Sequence, residues 1–235
     1  MNWDRRVRLF VESLAAADPP KPYRNPYRQP HAAHNLQLFL SRRDRLGKMI
    51  LLVGEAPGYR GAAVSGVPFV STEILEGCRV DPWNAFGPDK GYLIPDGAPH
   101  RSEATATMVW QGLFETCAAL PFPLTWNAVP FHPAGTTAES NSAVRRADIS
   151  IGKPYIEWML EFAPNAIVLG VGRAAQEALM RLGHDAQGVR HPSRGGKAEF
   201  LKGVAIATVG LTSNGHGAPR AGDPYQVVGQ GVLRF

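Results

Sequence analysis

The chain has 235 residues and a net charge of +5, from 25 Lys and Arg against 20 Asp and Glu, with a sequence pI near 9.4. That length suits one sizeable α/β core rather than two full domains, and the modest basic excess favours a polyanionic partner. Two cysteines, Cys78 and Cys117, stand far apart, which excludes a disulfide framework and any four-cysteine zinc or iron-sulfur site and fits a reducing cytoplasm.

From the amino terminus, Val7, Leu9, Phe10, Val11 and Leu14 recur at helical spacing, predicting an amphipathic helix over Trp3 to Ala17 that ends at Pro19 and Pro20. Arg5, Arg6 and Arg8 share that stretch with no apolar signal core, so no targeting segment is expected, and no run is long enough for a membrane span. The proline-rich stretch Pro19 to Pro30 predicts an extended surface connection, and His31 to Leu46 resumes helical periodicity. The apolar run from Lys48 to Val53 then suits a strand buried on both faces of a parallel sheet.

Similar runs follow at Leu124 to Val129, Ala166 to Leu169 and Val204 to Val209. Helical patterns lie between them at Ser102 to Leu120, Lys153 to Phe162 and Arg173 to Leu182. This alternation predicts βαβ units and a three-layer α/β/α sandwich around a mostly parallel four-stranded sheet. One domain is expected over 1–210, with the helices of 1–47 packed on it. The glycine-rich stretch 211–235 is expected to be an irregular tail.

In open parallel sheets ligands sit beyond the carboxyl ends of the strands, and three loops there carry unusual residues. The first is Gly54-Glu55-Ala56-Pro57-Gly58, with Pro68-Phe69 downstream. The second is Trp126-Asn127-Ala128-Val129-Pro130-Phe131-His132-Pro133, where a polar Asn interrupts an apolar strand end. The third is Arg190-His191-Pro192-Ser193-Arg194-Gly195-Gly196-Lys197. Taken singly, each has an ordinary explanation: a core phenylalanine, a capping asparagine, a loop histidine, a tight turn. The basic pair Arg145 and Arg146 reads as a solvated face.

Together and in this order, the three segments resemble the signature motifs of the uracil-DNA glycosylase superfamily, over roughly Leu51 to Phe200. Gly54 to Gly58 with Pro68-Phe69 is similar to the first motif and stacking phenylalanine of its iron-sulfur branch. The absence of that branch's four cluster cysteines implies a cluster-free relative. The resemblance implies an enzyme that hydrolyses the N-glycosidic bond of uracil or a related deaminated base flipped out of DNA, as a monomer, without metal or cofactor.

By the same resemblance Glu55 and His191 are catalytic: Glu55 orients water or stabilises the sugar cation, and His191 donates to uracil O2. Gly54, Ala56, Pro57, Gly58, Phe69 and Asn127 form the base pocket, with Asn127 reading the uracil edge. Ser193, Arg194, Gly195 and Lys197 contact DNA, and Arg194 fills the gap left by the base. Ala56 stands where several branches carry Asp or Asn, which places more of the load on Glu55. Gly58 replaces a tyrosine that some branches press against the uracil C5 edge.

Two other readings compete. Gly170-Val171-Gly172-Arg173-Ala174-Ala175 matches a G-x-G-x-x-A dinucleotide fingerprint, although it follows a late strand and lacks the expected acidic residue. Ala56 also admits a catalytically inactive DNA-binding member of the same fold.

Overall fold

The computed structural model describes residues 2–42, 49–77, 81–98, 101–118 and 120–212. Cys78, positions 43–46 of the second expected helix, the first residue (48) of the expected first strand, and 213–235 of the expected tail lie outside them.

Helix α1 (Trp3–Ala16) buries Val7, Phe10, Val11 and Leu14 of the stripe its periodicity marks out, while Leu9 is exposed. Strand β1 (Tyr23–Arg24) and a 3-10 turn (Pro26–Arg28) follow, then helix α2 (Pro30–Ser41). This corrects the expected surface connection, because Tyr23 and Tyr27 are buried in the core. The amide of Asn25 explains the path: its Nδ2 donates to the carbonyls of Leu14 at 2.8 Å and Ala17 at 2.9 Å. It thereby satisfies the open end of α1 and folds the segment back onto the protein.

Strand β2 (Ile50–Gly54) is buried along its whole length. After the short helices α3 (Ala62–Ser65) and α4 (Thr72–Glu76), helix α5 (Ala104–Cys117) leads to β3 (Leu124–Asn127) and β4 (His132–Pro133). The remaining elements are α6 (Lys153–Phe162), β5 (Ile167–Val171), α7 (Gly172–Arg181), β6 (Gln187–Val189) and α8 (Lys197–Thr212). The four-stranded sheet has the order β3-β2-β5-β6 and every pairing in it is parallel. Strands β1 and β4 form a separate antiparallel ribbon that aligns Arg24 with His132.

Helices flank the sheet as the alternation predicts. The crossover through α5 runs from β2 towards one edge, and those through α6 and α7 run the other way. Right-handed connections therefore put α5 on the face opposite α6 and α7. On the α6 side Phe10 stacks on Trp158 at 3.9 Å and tilts against Trp126 of β3 at 5.5 Å, fastening α1 to the sheet. Around α5, Trp110 packs against Phe86 at 4.8 Å and Phe122 at 5.9 Å.

The run Val204 to Val209 is helix, not strand. Phe200, Val204, Ala207 and Thr208 are buried while Ile206 and Val209 are 58% and 64% exposed, a helical period. A six-residue, mostly apolar run does not distinguish the two conformations by composition alone. The fourth strand is β6, whose Gln-Gly-Val sequence has only Val189 buried and so shows no apolar run.

Candidate active site

The loops that follow β2, β3, β5 and β6 meet at the carboxyl edge of the sheet around a cavity of about 450 Å³. This lies within the range of roughly 300–1,000 Å³ typical of small-molecule sites. Gly54, Glu55, Ala56, Gly58, Phe69, Asn127 and His191 all line it. Seven of the residues singled out in three distant segments thus share one space.

The first motif is an extension of the sheet before it becomes a loop. The N–H groups of Ala128 and Val129 donate to the carbonyls of Gly54 and Glu55 at 2.8 and 2.9 Å, carrying the β2–β3 pairing one step past both strands. Pro57 is buried and is not among the residues that line the cavity; its carbonyl lies 2.9 Å from Nδ1 of the buried His132. A carbonyl only accepts, so Nδ1 carries the proton. Burial also lowers the proton affinity of His132, keeping the ring neutral as a fixed strut from β4 to the motif.

Phe69 is held in a conformation that bulky residues avoid, with φ of 58°. Such a backbone costs on the order of 1–3 kcal/mol and persists only where neighbours fix it. Here the Trp110 indole N–H donates to the Phe69 carbonyl at 3.0 Å, and the Thr125 hydroxyl donates to the Pro68 carbonyl at 2.7 Å. The half-buried ring faces the cavity while partly packed on the core.

Asn127 ends β3 opposite Gly54. It is 4% exposed, and its Nδ2 is buried with no hydrogen-bond partner among the described residues. An amide left this way costs about 1–3 kcal/mol, which a ligand supplying an acceptor would recover.

The His191 Nδ1 accepts the Ser193 backbone N–H at 3.2 Å, and the Ser193 hydroxyl lies 2.8 Å from the same nitrogen. Because a backbone amide can only donate, the neutral ring carries its proton on Nε2. Burial lowers the proton affinity of the ring; Glu103 opposes this, and Arg190 and Arg194 reinforce it. The half-buried imidazole is therefore a neutral donor.

The expected DNA-contacting loop divides. Ser193 serves His191, while Arg194 and Gly195 are exposed at its tip with Arg194 at φ 52°. Lys197 turns to α5, where its ammonium donates to Gln111 Oε1 at 2.8 Å.

Glu55 is half-buried, and desolvation, with a smaller contribution from the charge of Glu177, raises its pKa above the ordinary carboxylate range. A second carboxylate in the cavity, Glu103, escaped the sequence reading. Its oxygens accept the N–H groups of Thr105 and Ala106 at 2.9 and 2.6 Å, so it also caps α5. Asn141 was missed too; its Oδ1 accepts the Tyr59 N–H at 3.0 Å on the cavity wall. An acidic residue in the first turn of a helical pattern was the one signal for Glu103, and Asn141 had none.

The glycines of the dinucleotide-like fingerprint answer to packing. A Cβ at Gly170 would lie 2.9 Å from Gln176 Cγ. One at Gly172, whose φ is +80°, would lie 3.0 Å from the His191 Cβ. Gly172 thus makes room for the imidazole beside the cavity.

A comparison with curated proteins finds no match. Among solved structures, the crystal structure of Pedobacter heparinus SMUG2 superposes with a TM-score of 0.65 at 14% identity, covering 90% of this chain and 99% of that one, a likeness of fold. The family model of the uracil DNA glycosylase superfamily matches residues 44–209, the span that carries the sheet and all three motif loops. The chain belongs to the uracil DNA glycosylase superfamily.

Proposed function

We propose that the protein is a DNA glycosylase that hydrolyses the N-glycosidic bond of uracil or a related deaminated base flipped out of DNA. The observation that carries this reading is the buried amide of Asn127, whose Nδ2 has no partner among the described residues, in the cavity it shares with Phe69 and His191. A base brought into that cavity stacks on Phe69, which contributes about 1–3 kcal/mol whatever the base. Identity comes from the amide: Oδ1 accepts from uracil N3–H and Nδ2 donates to O4, whereas cytosine presents the opposite polarity.

Cleavage creates an oxocarbenium-like sugar and a departing base anion. His191, neutral and protonated on Nε2, donates to O2 as negative charge gathers there, a preorganised contact that strengthens in the transition state. Glu55, in its carboxylate form, orients the water or offsets the positive charge on the sugar. The raised pKa of Glu55 fits a group held partly dry for that role.

The test is single-turnover base release. With protein in excess over a uracil-containing oligonucleotide and no metal added, alkali-labile abasic sites are expected; a folded protein that binds the strand and makes none is an inactive member of the fold. A panel of oligonucleotides carrying uracil, hypoxanthine or xanthine, single-stranded and paired, then ranks the bases.

A further inference from the structure

The cavity is not symmetric across the sheet edge. Phe69 and Asn127 stand on its β3 and β2 side. On the other side, arginines follow the ends of three adjacent strands: Arg60 after β2, Arg173 in the first turn after β5, and Arg190 with Arg194 after β6. With strands about 4.8 Å apart, β2 to β6 spans roughly 10 Å, enough for neighbouring phosphates of one strand.

Each of these cations is presented outwards. Arg60 is exposed at the cavity rim; its Nε–H donates to the Tyr59 hydroxyl at 2.9 Å and its guanidinium lies 5.4 Å from that ring's centroid. The side chain is thus held in place, and among the described residues it forms no ion pair with a carboxylate. Arg173, also on the rim, has a 92% exposed side chain. It faces Glu177 at 3.8 Å, and Arg146 approaches the same carboxylate at 3.9 Å. Both pairs are beyond hydrogen-bond distance and solvated, so they neutralise little. Arg190 and Arg194 are exposed on the loop that bears His191.

We propose that Arg60, Arg173, Arg190 and Arg194 form a basic track along the ends of β2, β5 and β6, taking successive phosphates of the strand whose base enters the cavity. The track rests on the glycosylase reading for the direction in which the base turns. It adds Arg60 and Arg173 to the residues expected to contact the nucleic-acid backbone. The strand then crosses the sheet edge over β5 and β6, and the flipped base points back towards β3.

The experiment is fluorescence anisotropy with a labelled single strand of about fifteen nucleotides, undamaged or bearing a central tetrahydrofuran abasic site, titrated at several salt concentrations. Phosphate contacts release counterions, so each one lost flattens the slope of log K against log salt by about 0.7 for a single strand. Arg60→Ala and Arg173→Ala are each expected to show that flattening on both probes. Arg181→Ala, at the exposed far end of α7, is expected to keep the wild-type slope. Unchanged slopes for Arg60→Ala and Arg173→Ala, or equal flattening for Arg181→Ala, would overturn the track even in a protein that releases uracil. Selective flattening in a protein that releases no base would uphold the track while refuting the glycosylase.

Discussion

Gly54 and Asn127 face each other across the β2–β3 ladder, and the amide of one occupies the space that a side chain on the other would need. A Cβ at position 54 would stand 2.7 Å from Asn127 Oδ1 and 2.7 Å from Phe69 Cζ. The first glycine of the motif is therefore set by the two groups that would read and stack the base. Gly54→Ala is expected to leave the protein folded, with an overpacking cost of about 1–3 kcal/mol. Base release should fall on the order of 100-fold, the effect of misplacing reacting groups by about an ångström. Rates and melting temperatures of the purified variant check this; an undiminished rate would show that the two side chains need not sit where they are.

Asn127→Ala separates function from stability. The substitution removes a buried donor that has no partner among the described residues, so the melting temperature should hold or rise. Base release should drop by at least about tenfold, the equivalent of one lost hydrogen bond of about 1.4 kcal/mol. A large loss of stability would mean that the amide is a structural bridge rather than an unoccupied reader.

Glu55 offers a test of sign. Its pKa is raised in the folded protein, so as pH rises above about 4.3 the unfolded chain loses its proton before the native state does. The associated stability is present at low pH and lost as pH rises through the raised native value. Glu55→Gln is expected to be at least as stable as the wild type at neutral pH, yet slower in base release. An unaltered rate would move the burden of water activation away from Glu55.

His191 is lowered, and the sign reverses. Below about pH 6.5 the unfolded ring takes up a proton first, so the stability tied to the neutral buried imidazole is present above that pH and is lost as pH falls through the native value. His132 is lowered as well and adds to the same decline. An NMR titration of the His191 ring is expected to give a midpoint below 6.5, with Nε2 protonated in the neutral form. A midpoint above 6.5 would contradict the neutral-donor assignment.

Much of this was legible in the residues. Strand β2 is buried on both faces and so carries a continuous apolar run; apolar residues mark β3 and β5 too, although Thr125 and Asn127 interrupt the first and Ile167 and Val168 of the second are only half-buried, and α1 and α6 form where the periodicity predicts helix. Asn127 and His191 could be picked out as polar groups in loops expected at the carboxyl edge of the sheet, whereas Phe69, between α3 and α4, was marked only by the family resemblance. β6 was hidden because an edge strand with one buried residue has no pattern, and α8 because its apolar stretch is too short to show a period without knowing which side is covered. Glu103 and Asn141 reach the cavity through folding of segments far from the motifs, a relation set by tertiary packing alone.

The most direct measurement is a crystal structure of the protein with abasic DNA and free uracil. The account predicts the ring stacked on Phe69, its N3–O4 edge within hydrogen-bond distance of the Asn127 amide and its O2 within reach of His191 Nε2. A base lodged elsewhere on the protein, or a cavity that stays empty while DNA is bound, would contradict it.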